Sequence, residues 1–441
     1  MKIRTLDVLF LTVLSVSFFS LHLLRAEKEN RVIAAYFENY SQYRPATGNR
    51  KPFSPSMIDT DYLTDLYYAF AGFGYITKSV DPSHPHLTGD FSIQPMEGND
   101  QNKLYPEILK LKQQSKTGLN IFLSIGGWNF NNPQDAQGTG INTYKLFSEM
   151  VAKKENRQQF IDSVIQYAHR FNFDGIDIDW EYPGDLTRGG QFEDFEHFLL
   201  FLQECQSAFK ATQPSLYLSY TAPAVMPVGL PKKYQDHPEE YFKWLAQCAH
   251  YVDRMNVMAY DYHGPFNVPP ITGVNAPLNR DTDPLSSYFI QKTLQNYLSN
   301  GVPANKIILG MPTFGHTFAG VRDLSTKNFG AGLPFTAAGR PGPSTQQPGL
   351  LAYYEISDMI QLNHLQFGAD SVTNTAYGYH LPSQIWVSFD TPETIGMKAK
   401  KVLENSLKGA ILWSVDMDEY QWEPKFPNIR QVWNTLHEKG N

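Results

Sequence analysis

The chain has 441 residues, of which 42% are hydrophobic and 14% aromatic, and its formal net charge is −7. This length allows more than one domain, although a single barrel can also take it up. The mild negative charge comes without a basic stripe, so we expect no nucleic-acid partner. Two cysteines exclude a disulfide-rich scaffold. Cys205 and Cys248 both lie in apolar, helical-looking stretches, where we expect buried free thiols.

The N-terminal segment has the features of a targeting sequence. Lys2 and Arg4 precede an apolar run over residues 8–24, which resembles a secretory signal peptide. The run is short for a membrane span, and no later segment is apolar enough to cross a bilayer. We therefore predict that residues 1–26 form a signal peptide, cleaved near Ala26, and that the mature protein is secreted. A retained membrane anchor is the alternative.

Short apolar strands alternate with amphipathic helical stretches along the rest of the chain. Stretches such as 154–171 and 194–213 have the helical pattern. The predicted strands are 32–37, 66–70, 120–125, 175–180, 216–220, 254–258, 307–311 and 409–413. Eight strands separated by helices predict an α/β fold, a parallel (β/α)8 TIM barrel. Catalytic groups are then expected at the C-terminal ends of the strands.

The fourth predicted strand carries an unusual row of acids. Read as a strand, the segment 173–183, FDGIDIDWEYP, places three acids on one side and three apolar residues on the other: Asp177, Asp179 and Glu181 against Ile176, Ile178 and Trp180. Same-side residues are only about 7 Å apart, so at least one acid should hold a proton near neutral pH. A protonated carboxylic acid beside an ionised one is what acid-catalysed cleavage of a glycosidic bond requires. A surface strand with solvated acids is the alternative, which the apolar second face disfavours.

This segment resembles the D-x-x-D-x-D-x-E signature of glycoside hydrolase family 18, the chitinases and their relatives. Asp174, Asp177, Asp179 and Glu181 fit it without departure, and the resemblance covers about residues 31–433. It implies a secreted chitinase that cuts β-1,4 bonds between N-acetylglucosamine units with retention. Glu181 would protonate the leaving oxygen, and the substrate's own acetamide would attack the anomeric carbon. Asp179 would stabilise the resulting oxazolinium, Asp177 would share its proton, and Asp174 would have a supporting role.

Two further motifs match the family. The run 124–128, SIGGW, follows the third strand, and its Gly pair lets the backbone pass close to a ligand or a neighbouring strand. The resemblance implies that Ser124 and Tyr36 support Asp177, and that Gly127 and Trp128 border the substrate groove. Trp128 as a core residue is the alternative.

The other implied substrate contacts lie at strand ends. The run 258–261, MAYD, ends the sixth strand, and a Tyr hydroxyl and an Asp carboxylate can hydrogen-bond an amide. By resemblance, Tyr260 joins the catalytic residues and contacts the substrate's N-acetyl group with Asp261. The remaining residues expected to bind substrate are Phe70, Tyr182, Met258 and Trp413. For Tyr260 the alternative is a ring that packs against its loop and contacts no ligand. For Trp413 the alternative is a position in the core.

The stretch between the seventh and eighth strands is too long for one helix. Residues 331–350 are rich in Gly, Pro and Thr, and LAYYEI follows at 351–356. Many family members carry a small α+β insertion domain here, so we predict one at 317–384, with the barrel formed by 27–316 and 385–441. The segment 385–390, IWVSFD, is expected to return to the barrel, and 392–407 to form the helix before strand eight. A disordered loop is the alternative, which the aromatic residues of LAYYEI disfavour.

Two features lie outside the motifs. His316 stands where many family members have Arg, and Asn39 begins a glycosylation sequon, Asn39-Tyr40-Ser41. No His, Cys and acid set has metal-ligand spacing, so we expect no metal and no other cofactor.

The alternatives on the same fold are a chitin-binding lectin and an enzyme that cuts the chitobiose core of N-glycans. Lectin relatives typically lose the final Glu of the signature, whereas Glu181 is present. Enzymes of the second kind usually have a shorter acidic motif and lack the insertion. We expect a monomer that takes chitin or chitooligosaccharides and has no membrane contact after signal cleavage.

Overall fold

The computed structural model describes residues 31–48, 50–78, 80–134, 141–280, 287–322 and 331–437. The predicted signal peptide lies outside these ranges. Within them, no helix has both the length and the apolar character needed to cross a membrane.

The strands and helices follow one another in an order close to the predicted one. The strands are β1 (Val32–Glu38), β2 (Asp65–Phe73), β3 (Tyr75–Ile76), β4 (His86–Leu87), β5 (Ile93–Pro95), β6 (Asn120–Gly126), β7 (Gly175–Asp179), β8 (Tyr217–Pro223), β9 (Arg254–Met258), β10 (Ile307–Pro312), β11 (Phe314–Ala319), β12 (Ala337–Ala338), β13 (Leu350–Ala352), β14 (Gln366–Asp370), β15 (Thr375–His380), β16 (Ile385–Phe389) and β17 (Gly409–Trp413). The helices are α1 (Tyr105–Gln114), α2 (Leu146–Ala152), α3 (Lys154–Arg170), α4 (Asp194–Ala211), α5 (Lys232–Asp236), α6 (Pro238–Tyr251), α7 (Ile290–Ser299), α8 (Tyr353–Gln361), α9 (Pro392–Glu404) and α10 (Pro427–His437).

Eight of these strands close into a parallel barrel, which confirms the predicted fold class. The order β1-β17-β10-β9-β8-β7-β6-β2 is completed by a direct pairing of β1 with β2. All eight neighbouring pairs are parallel. β1 and β2 are buried along their whole length, as expected where helices cover the outside of the barrel and side chains fill the inside.

The barrel sorts the side chains of β7 onto two faces. Ile176, Ile178 and Trp180 belong to the large apolar core outside the barrel wall, where the Trp180 ring lies 5.2 Å from that of Phe147. The three acids are on the other face, toward the barrel axis. The period of two in the sequence therefore dictates both the packing of β7 and the acidic row inside.

Aromatic and charged side chains close the bottom of the barrel. The Tyr67 and Phe122 rings stack with centroids 4.5 Å apart. The Arg254 guanidinium lies 4.5 Å from the Phe122 ring centre and pairs with Asp65 at 2.8 Å. Asp65 and Arg254 are the first residues of their strands, so this end is filled and the C-terminal ends of the strands are left for a site.

A six-stranded antiparallel sheet and helix α8 form an α+β insertion between β10 and β17, the seventh and eighth barrel strands. The order is β12-β11-β16-β15-β14, with β13 added against β11. The limits 317–384 of a separate domain stay a prediction.

The expectation that 385–390 returns to the barrel is wrong for its strand. β16 pairs with β11 in the insertion sheet, with Trp386 opposite Phe318. Trp386 packs into one small core with Phe318, and Val387 and Phe389 pack into another. Burial on both faces gave this strand the apolar pattern of a barrel strand. The chain returns to the barrel through α9 instead.

The cysteine prediction is confirmed. Cys205 on α4 and Cys248 on α6 are both free and fully buried. Burial raises the pKa of each thiol well above its usual range, so neither is a reactive thiolate near neutral pH.

Candidate active site

The predicted catalytic acids lie at the C-terminal end of β7, inside the mouth of the barrel. Asp177 and Asp179 are on the strand and Glu181 follows two residues later, and all three are buried. Sequence reasoning placed them on one face, and the structure does so. Burying three carboxyl groups together is costly unless partners or protons compensate their charges.

Asp177 sits in a cage of hydrogen-bond donors. Ser219 Oγ donates to its Oδ1 at 2.6 Å, and Ser124 Oγ donates to its Oδ2 at 2.9 Å. The other donors are Tyr36, Thr221 and Asn256. Burial raises the pKa of Asp177, whereas the hydroxyl groups lower it by stabilising the ionised form. Ser124 and Tyr36 occupy the predicted places, and Ser219, Thr221 and Asn256 were missed.

Asp179 is the least compensated acid of the three. Its Oδ1 is buried and has no hydrogen-bond partner among the described residues. Burial raises the pKa of Asp179 well above its usual range, and the charges of Glu181 and Asp177 raise it further. Since buried polar atoms are normally paired, this oxygen is available to a polar group of a ligand.

Glu181 is tuned to titrate near neutral pH. Burial raises its pKa to about 7; Arg188 and a hydrogen bond from Tyr182 pull the pKa down, and Asp261 pushes it up. A carboxyl with a pKa in this range can both give and take a proton at the working pH of most enzymes.

Arg188 is a residue of this site that the sequence did not reveal. Its Nε donates to the backbone oxygen of Glu181 at 2.7 Å, and its Nη1 donates to Asn132 Oδ1 at 2.8 Å. The guanidinium carbon lies 3.5 Å from the centre of the Trp128 ring. Arg188 thus connects the backbone of Glu181 to the ring of Trp128. An arginine seven residues beyond Glu181 in a loop has no pattern that could have marked it.

Aromatic rings line the barrel mouth beside the acids. Trp413 ends β17, and its ring centroid lies 5.0 Å from that of Tyr36 and 5.7 Å from that of Phe70. A Cβ on Gly127 would come within 2.7 Å of the Phe70 ring, and Gly127 has φ +88°. Glycine is therefore required there. Trp128 is 52% exposed, which excludes the core alternative for this residue.

Tyr260 and Asp261 continue the lining from the end of β9. The side chain of Tyr260 is buried, and its pKa is raised first by burial and then by the charges of Asp261 and Asp179. The backbone N–H of Asp261 donates to Asn275 Oδ1 at 2.9 Å. Its carboxylate contacts His316. Met258 precedes this pair and is partly buried.

A cavity of about 240 Å³ lies beside Trp413, between the barrel and the insertion. Glu38, Tyr40 and Arg44 line it from the barrel, and residues 344–347 line it from the insertion. Arg44 bridges Glu38 and Asp416, and burial raises the pKa of Glu38 to about 7. Residues of the barrel and of the insertion therefore both wall this cavity.

Asp174, which was expected to support the acids, falls outside the site, and Asn39, which begins the sequon, is buried. Asp174 precedes β7 at the opposite end of the barrel, where it pairs with Lys112 at 2.7 Å and accepts from the backbone N–H of Ile121. Asn39 is fully buried and its Nδ2 donates to the Phe70 oxygen at 3.1 Å. The sequon in the folded chain is thus closed to glycosylation.

Comparison with known proteins identifies the family. The family model of glycosyl hydrolases family 18 matches residues 32–418. Mouse chitotriosidase-1 is 31% identical over 92% of this chain and 78% of its own length, and human chitinase-3-like protein 2 is 28% identical over 88% and 87%.

Solved structures agree with this family assignment. The Group IV chitinase of Ostrinia furnacalis superimposes with a TM-score of 0.74 at 27% identity, over 92% of this chain and all of that one. Human YKL-39, described as a pseudo-chitinase with retained chitooligosaccharide binding, gives 0.72 at 27% identity over 92% and 99%. The chain belongs to glycosyl hydrolases family 18.

Proposed function

We propose that this chain is a secreted chitinase that hydrolyses β-1,4 bonds between N-acetylglucosamine units by a retaining, substrate-assisted mechanism. The observation that carries the proposal is the buried Oδ1 of Asp179, which has no hydrogen-bond partner in the described part of the chain, beside an acid, Glu181, with a pKa of about 7. The Asp179 oxygen is suited to bind an amide of the substrate, and Glu181 is suited to transfer a proton.

Glu181 is proposed as the general acid and base. With a pKa of about 7, it is largely protonated at mildly acidic pH and can give its proton to the leaving glycosidic oxygen. After the leaving sugar departs, the carboxylate takes a proton from the attacking water. General acid–base help of this kind typically contributes 10²–10⁴-fold to the rate.

The nucleophile is proposed to be the acetamide oxygen of the substrate. A two-carboxylate retaining mechanism needs carboxyl groups on opposite sides of the bond, about 5–5.5 Å apart. Asp177 and Asp179 instead lie on one face of β7, and Glu181 follows two residues later. Asp261, at the end of β9 two strands away, contacts His316. The acetamide is part of the bound substrate, so its attack has the advantage of proximity, up to roughly 7–11 kcal/mol.

Asp179 is proposed to orient the acetamide and to stabilise the cationic oxazolinium. Its raised pKa favours the protonated form, and Asp179 is proposed to enter the reaction holding a proton. The donor cage around Asp177 favours the ionised form of that carboxyl, which can therefore accept a shared proton. When the proton moves toward Asp177, Asp179 gains the negative charge that faces the developing cation.

Secretion is part of the proposal and rests on the sequence of residues 1–26. Expression of the full chain in a secreting host should yield a mature protein that begins near residue 27. N-terminal sequencing checks this, and a chain that keeps residues 1–26 at the membrane would support an anchor instead.

The experiment that tests the proposal compares Glu181→Gln with the wild type on chitin oligosaccharides. Gln keeps the size of the side chain but supplies no proton, so turnover should fall at least about 100-fold while oligosaccharide binding persists. Glu196→Gln, an exposed position on α4, is the matched control and should leave the rate unchanged. Wild-type turnover in Glu181→Gln would rule out this acid, and binding without turnover in the wild type would indicate a pseudo-chitinase.

A further inference from the structure

The hydroxyl groups of Tyr36 and Thr221 form a pair beside Asp177. Tyr36 lies on β1 and Thr221 on β8, and both are buried. Their oxygens are 2.8 Å apart. Thr221 Oγ1 is also 3.2 Å from Asp177 Oδ1 and 3.1 Å from Asp177 Oδ2, and the Tyr36 oxygen is 3.2 Å from Oδ2. Each hydroxyl therefore reaches both the carboxyl group and the other hydroxyl.

The two hydroxyl protons of this pair cannot both be donated to the carboxylate. Each hydroxyl has one proton to donate, and the hydrogen bond between the two oxygens uses one of them. Asn256 Nδ2 donates to the Tyr36 oxygen at 3.0 Å, so the Tyr36 proton points to Thr221 or to Asp177. Either Tyr36 donates to Thr221 and Thr221 to Asp177, or Thr221 donates to Tyr36 and Tyr36 to Asp177. The pair can therefore reverse without losing a hydrogen bond.

The two serines of the donor cage lack this freedom. Ser219 Oγ and Ser124 Oγ donate to Asp177 at 2.6 Å and 2.9 Å, and in the described part of the chain neither hydroxyl has a second acceptor. Turning either hydroxyl away from Asp177 would leave a buried donor unpaired, which is costly. Both serines are therefore fixed donors that favour the ionised carboxylate.

Protonation of Asp177 requires an oxygen that can accept the new carboxyl proton. When the Thr221 proton turns to Tyr36, Thr221 Oγ1 can accept from Asp177 Oδ1, and the Tyr36 proton goes to Asp177 Oδ2. The three hydrogen bonds then form a closed ring, with oxygen–oxygen distances of 3.2 Å, 2.8 Å and 3.2 Å. Both hydroxyl protons of the pair are thus bonded in either form of Asp177.

We propose that Thr221 is a positioning residue that lets Asp177 receive the proton of Asp179, by turning its hydroxyl from Asp177 to Tyr36. This inference rests on the proposed function, in which that proton moves toward Asp177. The proton leaves an oxygen of Asp179 and binds an oxygen of Asp177, so the negative charge passes to Asp179. Thr221 and Tyr36 each keep their own proton and change only its direction.

The other titratable side chains around Asp177 do not take part in this exchange. Those that feel the charge of Asp177 are Asp179, Tyr36, Tyr67 and Tyr260. Burial raises the pKa of all three tyrosines, so they stay neutral near neutral pH. The proton that moves therefore belongs to the two carboxyl groups.

The kinetic test removes the hydroxyl and keeps the shape of the side chain. Thr221→Val should lower kcat for chitotetraose at least about 10-fold and leave KM nearly unchanged, because Thr221 is proposed to act through Asp177 and not on the sugar. Thr221→Ser keeps the hydroxyl and should stay within a few-fold of the wild type. Thr336→Val, at an exposed position between β11 and β12, is the matched control and should change nothing.

Wild-type kcat in Thr221→Val, or a loss confined to KM, would overturn the inference. Melting curves establish that each variant is folded, and Thr221→Ala replaces Thr221→Val if the valine disrupts the fold. A double-mutant cycle adds Tyr36→Phe to Thr221→Val. If the two hydroxyls act as one relay, the double variant should lose little more kcat than the more impaired single variant, whereas fully additive losses would show that they act separately and contradict the relay.

A titration without substrate distinguishes a turning hydroxyl from a fixed donor. Carbon-13 NMR of the Asp177 carboxyl group, identified by its absence in Asp177→Asn, gives the apparent pKa of that group in each variant. Ser219→Ala should raise this pKa, because Ser219 stabilises only the ionised form. Thr221→Val should move it less than half as far, because the Thr221 hydroxyl bonds to both forms. An equal rise in the two variants would make Thr221 one more fixed donor and overturn the inference. An inactive wild type would instead refute the proposed function and leave this comparison valid.

Discussion

Arg188 is predicted to set the upper pH limit at which the proposed acid works. The pKa of Glu181, about 7, is a balance in which burial raises it and the Arg188 guanidinium lowers it. Arg188 is itself buried, so water screens its charge little. An opposite charge close to a carboxyl lowers its pKa by roughly 1–3 units. The Arg188 N–H groups donate to the Glu181 backbone, to Asn132 and to the Trp128 backbone rather than to the carboxylate, so the low end applies.

Arg188→Met removes the charge and keeps an apolar chain near the Trp128 ring. The alkaline limb of kcat/KM should then move up by about one pH unit, equivalent to about 1.4 kcal/mol, because Glu181 keeps its proton to a higher pH. The assay is a pH profile of chitotetraose hydrolysis.

Arg188→Lys is the control, because it keeps the charge but not the forked geometry of the guanidinium. The alkaline limb of its kcat/KM profile should stay near the wild-type position even if the rate falls. If the alkaline limb of kcat/KM in Arg188→Met stays in place or moves to lower pH, this reasoning is refuted.

Three further outcomes concern the acids and the sequon. Asp179→Asn should lower kcat more than Ser124→Ala, because Asp179 is proposed to stabilise charge directly whereas Ser124 supports Asp177; equal or reversed losses would reassign the roles. Glu181→Gln should stabilise the fold at about pH 8 and not at about pH 4, as measured by denaturant unfolding. The stabilisation that the bound proton gives the wild type is complete below pH 4.5 and is lost as the pH rises through about 7. The difference is at most about 3.4 kcal/mol. Equal effects at both pH values would contradict the raised pKa. Mass spectrometry of the secreted protein should find Asn39 unmodified, since its amide is buried, and a glycan there would contradict the fold.

The sequence predicted the barrel and the acidic row because both depend on local patterns. Alternation along β7 alone places Asp177, Asp179 and Glu181 on one face. Ser219 and Thr221 on β8 and Asn256 on β9 could not be found in this way, because small polar residues on a strand carry no signature. Closure of the barrel is what brings them to Asp177.

The remaining differences have similarly non-local causes. Asp174 belongs to the signature by spacing, but it lies seven positions before Glu181 along a chain that rises about 3.3 Å per residue, and so it is at the other end of the barrel. The segment 385–390 was misplaced because its strand is buried on both faces in the insertion sheet. Arg188 and His316 reach the site from a loop and from that sheet, so their contacts exist only in the folded chain.

The measurement that tests the account most directly is a side-by-side hydrolysis of chitotetraose and cellotetraose with enzyme in excess. Both have β-1,4 linkages, but only chitotetraose carries the acetamide that is proposed to attack the anomeric carbon. The account predicts cleavage of chitotetraose and none of cellotetraose, with Glu181→Gln inactive on both. Comparable cleavage of the two sugars by the wild type would contradict the substrate-assisted mechanism and the chitinase proposal with it.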